Sequence, residues 1–130
     1  VPGAIPSLDE MSPPESWFWA GDGWERRAGR YARGILAVEI RSPDPKATGL
    51  CWAEAYGIEL MPADNGWRLE MGGTEIRFTR DTAAAKPALM AIDVDAVDLT
   101  AICAAADDMG LERHDHVVCV CGVDLNFRSH

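Results

Sequence analysis

From Gly34 onward the chain states one pattern twice. Ala37-Val38-Glu39-Ile40 corresponds to Ala91-Ile92-Asp93-Val94, and both alternate with the period of a half-buried strand. Each is followed by an aspartate suited to cap a helix, Asp44 with Pro45 at the first helical position and Asp98 with Leu99. Both predicted helices stop at a glycine, Gly57 and Gly110, followed by Ile58-Glu59 and Leu111-Glu112. Later, Gly73-Thr74-Glu75-Ile76-Arg77-Phe78 corresponds to Gly122-Val123-Asp124-Leu125-Asn126-Phe127. Three segments recurring in the same order are hard to obtain by chance. They restrict the chain to folds built from two like halves.

Each half reads as a strand, a helix and then two or three strands. The first copy predicts elements at about 35–42, 45–57, 58–61, 66–72 and 74–80, with a turn at Asp64-Asn65-Gly66. The second predicts them at about 87–95, 98–109, 111–114, 115–121 and 122–128. In the second helix Leu99, Ile102, Cys103 and Ala106 share one face, and in the first Gly49, Trp52, Ala53 and Tyr56 do. The expected class is α+β: two tandem βαβββ modules, 35–80 and 86–128, in a curved, antiparallel-rich mixed sheet with helices on its outer face.

Residues 1–34 stand apart as an arm or linker. Pro2, Pro6, Pro13 and Pro14 keep its start extended and out of ladders. Ser16-Trp17-Phe18-Trp19-Ala20, the Gly21-Asp22-Gly23 turn signal and Trp24-Glu25-Arg26-Arg27 predict a short aromatic hairpin. Its tryptophans need burial on the main domain, on a dimer mate or on a preceding domain; alternatively they wall a ligand pocket. A homodimer is expected. Val1 in place of Met suggests a processed product or an excised piece.

Charge narrows the partners. With 21 acidic against 12 basic residues the net charge is -9, and no basic stripe is available for nucleic acid or an anionic membrane. No apolar run approaches the roughly 20 residues of a spanning helix. The chain is 48% hydrophobic, too apolar for disorder, and its 130 residues suit one domain. Cys51, Cys103, Cys119 and Cys121 are too scattered for a disulfide framework, so reduced thiols and a cytoplasmic location are expected.

The tandem module resembles the vicinal oxygen chelate superfamily, which includes glyoxalase I, extradiol dioxygenases and bleomycin- and fosfomycin-resistance proteins. Ile35 through Pro45, Trp52 through Gly57, Gly72-Gly73 before a strand and Ala91 through Asp98 carry the resemblance, which covers 35–128. It implies two modules curved into a cup around a divalent metal. The ligands come from the first strand of each module, typically His or Gln, and from the last, typically Glu. Counted along this chain, those positions fall on Ala37 and Leu89, and on Arg77 and Asn126. Ala and Leu have no donor atom, Arg has no lone pair and Asn alone is a weak ligand. No inherited metal site is expected, and no cofactor.

Alternation also assigns faces. Leu36, Val38, Ile40, Trp67, Leu69, Met71, Ile76, Phe78, Met90, Ile92, Val94, Val123, Leu125 and Phe127 are expected under the helices. Glu39, Arg41, Arg68, Glu70, Glu75, Arg77, Asp93, Asp124, Asn126 and Arg128 fall on the opposite face. That face is either a solvated sheet surface laced with ion pairs or a cup for a polar or anionic small molecule, with Arg41, Arg77 and Arg128 as clamps. The carboxylate pairs Glu39 with Asp93 and Glu75 with Asp124 would do acid–base work only if buried and mutually perturbed.

His114-Asp115-His116 and Cys119-Val120-Cys121 do not converge on one extended strand, and only a bulge or turn near Asp115 would rescue a partial metal site. Gly21-Asp22-Gly23 lacks a dinucleotide fingerprint, and Ser12, Ser16, Ser42 and Ser129 sit in no nucleophile elbow. No catalytic residue is assigned. The reading is a metal-free, glyoxalase-like small-molecule binding module; a metal-dependent lyase or dioxygenase and an assembly domain of a larger protein are the alternatives.

Overall fold

The computed structural model describes residues 1–4, 12–13, 21–23 and 31–129. The aromatic hairpin expected at Trp17, Phe18, Trp19 and Trp24 lies outside them. The elements run β1 (Ala32–Ser42), α1 (Pro45–Tyr56), β2 (Met61–Ala63), β3 (Gly66–Met71), β4 (Thr74–Arg80), β5 (Ala88–Ala96), α2 (Leu99–Asp108), β6 (Arg113–His114), β7 (Val117–Val120) and β8 (Val123–Arg128). This is the βαβββ pattern twice over.

Both helices begin as their sequences dictate. The carboxylates of Asp44 and Asp98 accept from the amides of Ala47 and Ala101, satisfying donors that the first turn leaves free. Gly57 closes α1 in the left-handed conformation at φ 66°, and Gly110 adopts the same φ one residue beyond the cap of α2.

Among the described residues one eight-stranded sheet, in the order β2-β3-β4-β1-β5-β8-β7-β6, joins the modules through the antiparallel β1–β5 pair. Within each module the first and last strands run parallel, Ala37 beside Glu75 and Ala91 beside Asp124. Across the seam Ala37 pairs with Asp93 and Glu39 with Ala91, so the halves are related by an approximate two-fold axis between β1 and β5.

The seam also corrects the alternation. Register shifts at Ile35/Ala37 and Glu39/Ile40 leave Leu36 and Met90 unpaired across it. Each extra residue resets the side-chain phase. Leu89, not Met90, therefore pairs with Ile40 and packs on the apolar core.

The core belongs to the first module. Ile40, Trp52, Leu69, Ile76 and Phe78 are buried, with Tyr56, Leu60, Trp67 and Met71 packed around them. Trp52 stacks on Tyr56 at 5.8 Å and donates its indole N–H to the carbonyl of Pro2 at 2.7 Å. Gly3 bridges Ala88, so the proline-rich start does touch the sheet, through its glycine. In the second module Ala106 and Val118 are buried while Leu125 and Phe127 are only half covered. A cavity of about 280 Å³ separates α2 from the sheet there, lined by Ile102, Ala105, Met109, Val118, Leu125 and Phe127 among others.

Candidate functional site

The face opposite the helices carries a connected ion-pair network drawn from both modules. Asp93, on β5, is its buried centre, with a side chain 4% exposed. Its Oδ2 accepts from Arg77 at 2.8 Å and from Arg128 at 3.1 Å, and its Oδ1 accepts from the Asn126 amide at 2.8 Å. Arg77 also donates through Nε to Glu75 at 2.9 Å, and Glu75 accepts from Arg68 at 2.7 Å. Arg68 reaches Glu70 at 3.1 Å. On β1, Glu39 accepts from Arg41 at 2.7 Å and from the hydroxyl of Thr79 on β4 at 3.0 Å.

Adjacent strands bring these groups together because the sheet pairs Glu39 with Arg77, Arg68 with Arg77 and Asp93 with Asn126. The sequence-predicted set thus shares one face. Asp124 sits beside Ala91 and within the electrostatic reach of Arg41. The network also sets protonation. Hydrogen bonding from Arg77, with a further bond from Arg68, holds the Glu75 carboxyl below the usual range despite its burial cost. Burial works against the Arg77 charge, but its bonds to Glu75 and Asp93 outweigh that and raise its pKa. The Arg41 guanidinium is held protonated by its hydrogen bond to Glu39.

Two features bear on the expected clamps. Arg41, Arg77 and Arg128 are each already paired with a protein carboxylate, so none waits unpaired for an anion. Two clefts of about 270 Å³ each open on either side of Arg77, sharing Ala63, Asp64 and Arg77 beneath the β2–β3 turn. One is bordered by Glu39 and Thr79, the other by Arg68 and Glu75. Both clefts therefore lie over the first module, one of them reaching Glu39 on the seam strand β1. Asp64, Asn65 and Thr79 are not among the residues that alternation assigns to this face. Thr79 follows Arg77 at the strand period and was detectable, whereas a turn's reach over a sheet is a tertiary property.

The donor set does not fit a divalent metal. The two-fold makes Ala91, not Leu89, the equivalent of Ala37: Ala37 pairs with Asp93 as Ala91 pairs with Glu39, whereas Leu89 pairs with Ile40 and packs on the core. The four positions are then Ala37, Ala91, Arg77 and Asn126, which offer two methyl groups, one guanidinium and an amide whose nitrogen faces Asp93. A guanidinium among the ligand positions repels a second cation. Among the described residues no group of three or more His, Cys, Asp or Glu is arranged to hold a metal ion.

Taken with the tandem modules, this topology is the vicinal oxygen chelate fold. Methylmalonyl-CoA epimerase from Mycobacterium tuberculosis superposes with a TM-score of 0.55 at 14% identity, covering 75% of this chain and 88% of that one. A singly substituted methylmalonyl-CoA epimerase from Streptomyces coelicolor, in complex with 2-nitronate-propionyl-CoA, gives 0.54 at 15% identity over 75% of this chain and 97% of that one. At such identities the likeness establishes the fold alone. The proclavaminate amidinohydrolase of Streptomyces clavuligerus is 28% identical over 105 residues, 75% of this chain. The match takes in 33% of that enzyme, so the chain spans about a third of its length. No family model matches the chain.

Proposed function

We propose that this chain is a metal-independent small-molecule binding module, with residues 35–128 as the binding domain and 1–34 as an appended arm. The observation that carries the reading is the Arg77–Asp93–Asn126–Arg128 network, two of whose members, Arg77 and Asn126, stand at positions that the resemblance gives to metal ligands. A preorganised array of opposite charges beside a cleft suits a small polar ligand. An anionic group must compete with Glu75 or Asp93 for Arg77, so a ligand bearing both an anion and hydrogen-bond donors suits the face better than a simple anion.

Acyl thioesters of coenzyme A are natural first probes, given the ligand seen on a structural neighbour. The acidic chain opposes their phosphates, so amino-acid-like zwitterions and dicarboxylates belong in the same panel. Calorimetric titration of the intact chain after chelator treatment tests the reading. Binding that survives chelation and is lost in Arg77→Gln is expected; binding only after metal is restored sinks it.

A second reading, assembly, is favoured by a specific feature. Tyr31, Val97 and Met109, 46%, 43% and 69% exposed, lie about the end of the apolar cavity under α2. The proposal accordingly includes a homodimer, in the reducing cytoplasm that suits four free thiols. Sedimentation equilibrium of the intact chain is expected to give a dimer, and a monomer at all concentrations removes this part.

A further inference from the structure

The segment His114–Cys121 is not absorbed by the binding face. The structure supplies the turn near Asp115 that a straight strand lacks. Asp115 takes the left-handed conformation at φ 51°, between β6 and β7, and turns His116 back over α2. There His116 meets a cysteine from the helix and not from its own strand. Its Nδ1 lies 3.6 Å from Cys103 Sγ, and the Asp115 carbonyl lies 3.7 Å from the same sulfur.

The pair is fixed from both sides. The His116 carbonyl accepts from the Phe127 amide at 2.9 Å, which ties the turn to β8. Arg113 binds Asp107 of α2 through two nitrogens, at 2.9 and 2.8 Å, and donates to the Asp115 carbonyl. That clamp holds the β6–β7 turn against the helix and leaves the Arg113 charge in electrostatic reach of the sulfur. Cys103 is half-buried and His116 exposed, so a small reagent can reach the thiol. Cys51 and Cys121 are exposed thiols and serve as internal references.

We propose that Cys103 is a reactive thiol, activated by His116, that exchanges with small-molecule disulfides. A nucleophile within hydrogen-bond reach of a base is the arrangement such activation requires, and here the base stands on a backbone pinned to β8 and, through Arg113, to α2. The Cys103 proton passes to His116 Nδ1, and the thiolate attacks one sulfur of the incoming disulfide. The Cys103 Sγ–S bond forms as the disulfide S–S bond breaks, and the second sulfur leaves with the electron pair as a thiolate. That leaving group then takes the proton from His116. The product is a mixed disulfide on α2.

The test uses the intact chain and 4,4′-dithiodipyridine, with the modified cysteine assigned by peptide mass at short times. Cys103 is expected to react about tenfold faster than Cys51 or Cys121, because among the described residues only Cys103 has a base beside its sulfur. In His116→Gln its rate is expected to fall to theirs while Cys51 is unchanged. The half-buried Cys119 reports folding, because an unfolded variant would expose it like the other thiols and raise its rate. Equal rates for Cys103 and Cys51 in the unsubstituted chain would overturn the proposal. So would a Cys103 rate indifferent to His116→Gln.

Discussion

Asp93 holds the polar face together because its buried carboxylate answers three donors from two strands. Replacing it with alanine leaves Arg77 and Asn126 without that acceptor. Asp93→Ala is expected to lower stability by about 2 kcal/mol, below the range for fully buried pairs since Arg77 is one-third exposed. Arg128→Ala, with a side chain 55% exposed, is expected to cost less than about 1 kcal/mol. Urea denaturation of the two variants checks the order. Glu75 gives the pH dependence. Its carboxyl titrates lower when folded than when unfolded, so its contribution is complete above the ordinary Glu range. It drains away as pH falls through the lower folded value. Glu75→Gln is expected to flatten the acid limb of a stability–pH curve, and an unchanged limb would count against the Arg68–Glu75–Arg77 bonds. The charged face residues were legible because strand alternation places them without any tertiary information. Leu89 and Met90 were not, because an extra residue in β5 inverts the phase and no sequence signal marks it.

Element boundaries were legible wherever a cap or a turn stands in the sequence. Asp44, Gly57, Asp98 and Gly110 fix both helices to within a residue of expectation. Asp44→Ala and Asp98→Ala are each expected to cost about 1 kcal/mol in thermal or urea unfolding. Gly66 is bound more tightly: its φ is +150°, and an added Cβ would run into the Phe78 carbonyl oxygen. Gly66→Ala should therefore disrupt the β3–β4 pairing, read as a loss of amide protection along Trp67–Met71. The helices differ in how they pack, which their similar patterns concealed. α1 sits on the buried Trp52–Phe78 cluster, whereas α2 leaves space against Leu125 and Phe127. Phe78→Ala is expected to cost about 3–5 kcal/mol and Phe127→Ala about half of that. Equal losses would mean that the second module is packed as well as the first. The early start of β1, at Ala32, has no cap or turn to announce it.

At the scale of the molecule, two like modules joined through β1 and β5 produce one sheet with an apolar and a charged side. That much follows from the repeat, since each copy states the same strands, caps and glycine stops. The position of the clefts does not, because it depends on how the Asp64-Asn65 turn hangs over Arg77. Symmetry is what makes the metal question decidable. Related positions in the two halves, Ala37 with Ala91 and Arg77 with Asn126, all lack the chemistry of a divalent site, while Asp93 is occupied by cationic and amide donors. Quantifying Zn, Fe, Mn, Co and Ni in protein purified without chelator, from cells grown with those metals, addresses this directly. A metal-independent module is expected to carry only trace, substoichiometric amounts of each; one equivalent of any of them per chain, retained through dialysis, would contradict it.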